Sequence, residues 1–580
     1  MKCQFKDIRY RYSARTPQET DTHMEVLGID SESDNKGVPF MFCISDGTPP
    51  ITPDNLFETL FQHKYRGVKF VCFNLKYDEG SILHQFPVEM LQELRRKGRV
   101  EYNGYSVRSI PKKELVIKDI QQKHSVAFYD IAQFYGTSLE KAAEYYLGKH
   151  KREMPTKTFT EQYIREHWFE LGNYCLQDAL LTKELADYFI DMLIKDFNIY
   201  PQKLYSTGYI AGLHFARTCD FIHVNRYFRY HKELLEYAYL SYAGGKFETY
   251  QRGFGKFYQY DINSAYPFEI SLLQDIRLAR VIKTSEYQKD ATYGFIKCSL
   301  VLTNDYSPIP IKVDNVNRYP IGSFTKIITK TEYDFLIKRG DTVDILEAWW
   351  LFCREEYPYR IEVERLFELK KKFKAHDKLR YMLVKILLNS FYGKFIQVTE
   401  KWKQDKIVYE AGWLFNPIYA SVITANTRVK VCQACDKYDK YTVAVHTDSI
   451  ITSIDLSNNG LSMSDNLGDW NCENSGSGVI VGSGVYQIGE KVHFRGYHGL
   501  NDLIGIVKSN RNKVNIEVNQ RLVLSWRLVV FRNANPDSIN RFTKTVKTLN
   551  LNFDRKRDWD SGWTWQNRLV SSRPFIEVEL

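Results

Sequence analysis

Apolar and polar residues alternate along several stretches of this chain, and each alternation breaks at a carboxylate. In Tyr258–Pro267, YQYDINSAYP, aromatic and β-branched residues predict a strand with Tyr258, Tyr260 and Ile262 on one side and Asp261 on the other. The strand is expected to end in a turn closed by Pro267. VLGIDSES predicts a second strand, on which Asp30 and Glu32 share a face. A third, Lys69–Phe73, runs into Asn74-Leu75-Lys76-Tyr77-Asp78 and delivers another acid at a strand end. YTVAVHTDSIITSID alternates on both sides of Thr447-Asp448-Ser449, the pattern of a tight hairpin.

Other stretches carry a helical period. ELGNYCLQDALLTKEL places Tyr174 and Asp178 four apart, on one face. FELKKKFKAHDKLRYMLVKILLNSFYGKF predicts one long helix. Its Lys378, Tyr381, Lys385, Asn389 and Tyr392 form a polar stripe opposite Leu379, Met382, Leu383, Ile386 and Leu387, and Gly393 ends it. Tyr293–Trp350 mixes strands whose arrangement the pattern does not resolve, and the Ser/Asn/Gly-rich passage Ser457–Gly484 is predicted to be a flexible linker.

At 580 residues the chain is long enough for at least two cores, and the mixture of elements predicts an α/β multidomain fold. No segment approaches the ~18 consecutive apolar residues of a membrane span, and the polar start MKCQFKDIRYRYSA lacks the apolar core of a secretion signal, so a place in the cytoplasm of a host cell and no membrane partner are expected. A net charge of +10 with 15% aromatic residues, 40 of them Tyr, suits a nucleic-acid partner. Ten scattered cysteines argue for reduced thiols; Cys432 and Cys435 have zinc-like spacing without a second pair.

Like charges as close as Asp30 and Glu32 repel unless a cation lies between them. With Asp78 and Asp178 they make four acids from three elements, a set able to hold two Mg²⁺ ions, with Mn²⁺ as a substitute. Asp261 and Asp448 form a second such pair. The adjacent glycines of Ser241-Tyr242-Ala243-Gly244-Gly245 would permit close backbone approach, with Lys246 and Arg252 adding basic charge.

The order D-x-E, N-x-x-Y-D, Y-x-x-x-D, then Y-x-G-G, Asp261, K-x-x-x-N-S-x-Y-G and Asp448 resembles the protein-primed branch of family B DNA polymerases, the phage and linear-plasmid type, over nearly the whole chain. The resemblance implies a ribonuclease-H-like 3′→5′ exonuclease domain over residues 1–190 and a right-hand polymerase domain over 191–580. Its palm would lie at about 240–350 and 415–480, its fingers at about 355–400 and its thumb at about 485–580. It implies two metal ions per active site. One set would be held by Asp30, Glu32, Asp78 and Asp178, with Tyr174 orienting the attacking water, Asn74 and Tyr77 holding a single-stranded 3′ end, and Lys149 or Lys151 assisting. The other would be held by Asp261, Asp448 and the Ile262 backbone, beside a nucleotide site of Tyr266, Lys378, Lys385, Asn389 and Tyr392. Tyr242, Gly244, Gly245, Gly393, Thr447 and Tyr486 would meet primer-template DNA.

dNTPs as substrates, a terminal-protein primer and a monomeric state are further expectations of the resemblance. His446 stands where the family has an acid, and Gly484 where it has a lysine for which Lys491 or Arg495 would compensate. These departures keep two rivals in view: an exonuclease with a degenerate polymerase half, and a non-catalytic DNA-binding scaffold for replication initiation. Between Gly393 and Pro417 little room is expected for the β-hairpin insertion that gives phage-type enzymes strand displacement, so weak displacement is predicted. The tail, with Arg555, Lys556, Arg557, Trp559, Trp563 and Trp565, is expected to lie over duplex DNA.

Overall fold

A computed structural model describes residues 3–10, 22–156, 159–220, 222–457, 460–566 and 568–578. Its amino-terminal part is a seven-stranded sheet. The strand Val26–Ser33 pairs antiparallel with Pro39–Ile44 and parallel with Lys69–Cys72, which in turn pairs parallel with Ser125–Asp130. The thirty-residue helix Trp168–Phe197 lies across this sheet. Gly28 lets it come close, because a Cβ there would overlap the Ala179 carbonyl. Two residues further along the same strand face stands Asp30, so the close approach also brings Asp178 toward it.

A second sheet is built around Gln251–Ile262, flanked by Ser449–Thr452 and Trp470–Gly482. The passage expected to be a linker therefore contains a thirteen-residue strand. One of its glycines has a packing reason: a side chain at Gly478 would run into the Gln487 backbone of the next strand. The turn expected at Pro267 is also corrected, since a helix begins at Ala265 and places Pro267 in its first turn, where an N–H is not needed. Tyr293–Leu302, Ile321–Thr329 and Thr342–Phe352 form a third sheet with Arg280–Lys283 and Ile576–Val578.

The single long helix of the sequence reading is two helices, Arg360–Phe373 and Lys378–Ser390, packed on each other. Asp377 divides them. Its carboxylate accepts from the Arg380 N–H at 2.9 Å and caps the second helix, which local pattern alone did not separate from the first. That helix ends at Ser390 rather than Gly393, and Tyr392–Lys394 is a 3₁₀ turn. Between Gly393 and Pro417 a β-hairpin does form, from Val398–Lys403 and Lys406–Ala411, so the expected lack of room is wrong.

The carboxy-terminal hairpin, Asn515–Val523 with Phe542–Asn550, carries the helix Trp526–Phe531 at its tip. Trp526, Val529, Val530 and Ile539 are buried in the core of the amino-terminal sheet, with Ile29, Phe70 and Phe128. The tail beyond is less a DNA surface than expected. Arg557 is buried beside Glu248 and Asp305, Trp563 is buried under the hairpin, and Trp559 lies 4.1 Å beneath the Arg252 guanidinium. Lys246 and Arg252 are likewise buried, Lys246 against Glu248 at 2.6 Å, so neither supplies the basic surface expected of it. Cys432 and Cys435 lie buried in the helix Pro417–Lys437, where burial pushes both thiols up.

Two candidate carboxylate centres

Val26–Ser33 presents Asp30 and Glu32, the helix Leu75–Ile82 presents Asp78, and the long helix presents Tyr174 and Asp178. Burial, then the charges of Asp78, Asp178 and Glu32, pushes the Asp30 carboxyl well above its usual range; Glu32, Asp78 and Asp178 are raised as well, burial again being the largest cause. Asp78 accepts from the Ser31 hydroxyl at 2.8 Å. Lys151 pairs with Asp178 and lies 4.8 Å from the Tyr174 ring, whereas Lys149 pairs with Glu184 at 2.6 Å and stands outside the cluster. Ligand oxygens of Asp30 and Glu32 and the Cys175 sulfur lie within 4.8 Å of one another. The thiol donates to the Asp30 carbonyl at 3.5 Å and, buried and pushed up, is a packing group.

Asn74 is exposed in a left-handed conformation, φ 76°, that Asn tolerates better than most residues. Its N–H donates at 3.1 Å to Asp130, a buried acid raised to about 6 chiefly by burial. Asp130 belongs to none of the sequence motifs. Its signal, an acid at the end of a buried strand, is common to many turns. Tyr77 is half-buried beside the same cluster.

In the second sheet Asp261 lies opposite Ser449, and the Ile262 N–H donates to the Asp448 carbonyl at 2.9 Å, which brings the two carboxyls together. What Ile262 retains for a ligand is its carbonyl. Burial first, then Asp448 and Glu473, raises Asp261; burial likewise raises Asp448. The turn that presents Asp448 is strained: Thr447 is β-branched at φ 64°, and the Asp448 N–H reaches back to the His446 carbonyl at 2.9 Å. Gly245 packs against it, since a Cβ there would stand 2.5 Å from the Thr447 methyl and 2.9 Å from the Tyr266 hydroxyl. Gly244 and Gly393 have open space on their Cβ sides. Arg428, fully buried and paired with Glu332 at 2.6 Å, donates to the Ala243 and Gly244 carbonyls and holds that loop in place.

Around this pair stand the other expected residues. The Tyr266 and Tyr392 rings lie 4.2 Å apart, and burial and Tyr392 weigh on Tyr242. Lys385 and Asn389 share an exposed face. Lys370, from the preceding helix, donates to Ser264 at 2.8 Å and is lowered to about 8 by burial and by the Lys385 charge. Lys378 is not drawn into this group. It begins the second helix, about 10 Å along the axis from Lys385, with its ammonium 5.4 Å from the Tyr145 ring.

His446 is neutral, lowered to about 3 by burial first and then His493 and Lys556; its ring lies 4.6 Å from Phe247 and 4.8 Å from Tyr486. Tyr486 is buried between His446 and His493. Gly484 has φ +79°, with the Arg495 side chain against it, while Lys491 pairs with Glu473 at 2.6 Å. Glu473, near both carboxyls, escaped the sequence reading because its segment looked like a linker.

Both donor sets fit divalent cations. All their carboxyls resist ionisation without a compensating charge, and Asp178 Oδ1 is buried with no hydrogen-bond partner.

A sheet with helices carrying one acid cluster, followed by a second sheet presenting another on adjacent strands, defines a two-centre α/β molecule. Residues 166–466 match the family described as DNA polymerase type B, organellar and viral, and the chain belongs to that family. A DNA polymerase of Acidianus bottle-shaped virus (isolate Italy/Pozzuoli) is 25% identical over 424 residues, covering 68% of this chain and 59% of that protein. A probable DNA polymerase of Neurospora intermedia is 20% identical over 489 residues, 69% of this chain and 49% of its own length, so the chain spans about half to three-fifths of these relatives. Phi29 DNA polymerase complexed with primer-template DNA and incoming nucleotide shares the fold, with TM-score 0.63 and 13% identity over 91% of this chain and all of that one. Its complex with single-stranded DNA gives TM-score 0.55 and 14% identity, covering 80% of this chain and 86% of that one. The fold is thus the mixed α/β fold of phi29 DNA polymerase.

Proposed function

We propose that the protein is a DNA-directed DNA polymerase with a 3′→5′ proofreading exonuclease, and that it starts synthesis on a terminal-protein hydroxyl. The observation that carries this reading is the pairing of two buried acid clusters, each short of positive charge, on the two parts of one family B chain. Two divalent ions at each centre would activate the attacking oxygen and neutralise the leaving group.

At the polymerase centre Asp261, Asp448 and the Ile262 carbonyl would hold the ions. Lys385 and Lys370 would bind the triphosphate, with Asn389 and Tyr392 beside the incoming base. Tyr266, packed on Tyr392, would lie beneath the sugar and exclude a 2′-hydroxyl; Tyr266→Ala is expected to raise ribonucleotide incorporation by tenfold or more, about 1.4 kcal/mol, measured by competition between rNTP and dNTP. Gly244, Gly245, Tyr242, Gly393 and Thr447 would line the primer-template, and Tyr486, buried between His446 and His493, would support that wall from behind rather than meet the primer end. Lys378 drops out of the nucleotide site and is assigned to the contact with the exonuclease domain instead.

At the exonuclease centre Asp30, Glu32, Asp78 and Asp178 would hold the ions, while Tyr174 and Lys151 would position water and Asn74 and Tyr77 the frayed strand. Glu32→Ala with Asp78→Ala is expected to abolish digestion of a single-stranded oligonucleotide and to spare primer extension. Priming is tested by supplying labelled dNTP, template and a candidate terminal protein without a DNA primer. Label on the protein supports it, and label only when a DNA primer is present refutes it.

A further inference from the structure

Asn540 stands at the base of the thumb-tip insert, fully buried, in a left-handed conformation at φ 65°. Its side chain leaves its own hairpin and enters the exonuclease domain. The Asn540 amide donates to the Tyr77 carbonyl at 2.8 Å and to the Ser81 hydroxyl at 3.0 Å. The Ser81 and Ser31 hydroxyls lie 3.0 Å apart, and the Ser31 hydroxyl donates to Asp78 at 2.8 Å. Asn540, Ser81, Ser31 and Asp78 therefore form one continuous buried run of polar groups from the thumb to an acid of the exonuclease centre.

The helix that carries Asp78 is shaped to receive this side chain. A Cβ at Gly80 would stand 2.5 Å from the Asn540 amide oxygen, so glycine leaves the space that Asn540 fills. One residue from Asp78, buried Glu79 accepts from Ser109, whose hydroxyl in turn accepts from the Arg527 guanidinium at 2.6 Å. Tyr77, Glu79 and Ser81 are thus each gripped, directly or through one serine, by a sequence more than four hundred residues downstream. A second strand of the grip is Gly37, beside the Ile539 carbonyl and the Arg541 backbone.

We infer that Asn540 is a positioning residue of the exonuclease centre: the thumb tip completes the shell that orients Asp78, and digestion depends on a docked thumb. This deepens the exonuclease assignment above and rests on it. A buried acid with one oxygen fixed by a hydroxyl can turn its other oxygen to a metal ion, and loss of such a support weakens metal affinity or activity by ~10–100-fold.

The test uses the full chain, with Asn540→Ala, Ser81→Ala and the double variant beside the parent, Asp78→Ala and Asp448→Ala. Digestion of a single-stranded oligonucleotide is measured against Mn²⁺ concentration, free Mn²⁺ is followed by electron paramagnetic resonance, and primer extension and thermal unfolding are recorded in parallel. Asn540→Ala is expected to slow digestion about tenfold or more, to raise its half-maximal Mn²⁺ concentration, and to weaken the Mn²⁺ sites that Asp78→Ala removes. The sites that Asp448→Ala removes, and primer extension, are expected to stay within about twofold, and the double variant to be no worse than the worse single one. Unchanged digestion and Mn²⁺ midpoints would overturn the inference, as would a loss of digestion matched by an equal loss of extension and a lowered melting temperature. Should Asn540→Ala not fold, Ser81→Ala is read by the same criteria. A parent that binds Mn²⁺ at Asp78 yet digests nothing would instead defeat the exonuclease assignment, while the Mn²⁺ comparison still decides the role of Asn540.

Discussion

Gly245 joins three parts of the polymerase centre, because its missing side chain is the space taken by the Thr447 methyl and the Tyr266 hydroxyl. Gly245→Val is expected to cut primer extension by tenfold or more, consistent with the ~1–3 kcal/mol cost of overpacking a closed site. Digestion of single strands should be unaffected, and a parallel loss of both activities would mean global damage. Lys370→Ala is expected to raise the KM for dNTP with a smaller change in kcat, since Lys370 faces the site with Lys385. At this scale the carboxylates were the most legible part of the sequence: Asp30, Glu32, Asp261 and Asp448 each interrupt an alternating strand, and that interruption is visible in one dimension. Glu473, Asp130 and Asn540 were not, because each matters through a partner distant in the chain or on a strand whose pairing was unknown.

Elements with a clean period were legible and those defined by their neighbours were not. The strands carrying the acids fell where alternation put them, and the helix over Tyr174 and Asp178 has its expected face, though it extends from Trp168 to Phe197. Residues 360–390 were read as one helix because the break at Asp377 lies in a polar run that either a helix or a cap accommodates. Gly-rich Trp470–Gly482 looked flexible, yet the sheet on both sides determines its conformation. The hairpin Val398–Ala411, its strands made largely of polar and charged residues, was missed for the same reason. Its presence removes the ground for expecting weak strand displacement, and the hairpin's part in it is tested by replacing 399–410 with a short linker: a displacement role is expected to reduce synthesis through a downstream duplex far more than synthesis on a single-stranded template. At the thumb tip, Trp526→Ala removes a fully buried ring and is expected to destabilise the fold by ~3–5 kcal/mol, seen in denaturant unfolding.

For the whole molecule, the crowded acids make stability depend on pH and on metal. A carboxyl whose folded pKa is raised keeps its proton where the unfolded chain has already lost it, so stability falls as pH rises between the two values. Without divalent ions, the melting temperature is expected to decline from the unfolded carboxylate range near ~4 up to about 8, the value to which burial and Asp178 push Glu32. Saturating Mg²⁺ or Mn²⁺ offsets that repulsion, so its stabilising increment should be larger at pH 8 than at pH 5; an equal increment would show that the clusters do not bind the ions. Among the described residues no helix is long and apolar enough to cross a membrane.

Asp261 and Asp448 are expected to form a working nucleotidyl-transfer centre although His446 replaces an acid beside them. It is tested most directly by extension of a labelled primer on a DNA template with dNTPs and Mg²⁺, comparing the parent with Asp448→Ala. Template-encoded products are expected from the parent and none from the variant, which should still shorten single strands. No extension by the parent under Mg²⁺ or Mn²⁺, or equal extension by Asp448→Ala, would contradict it.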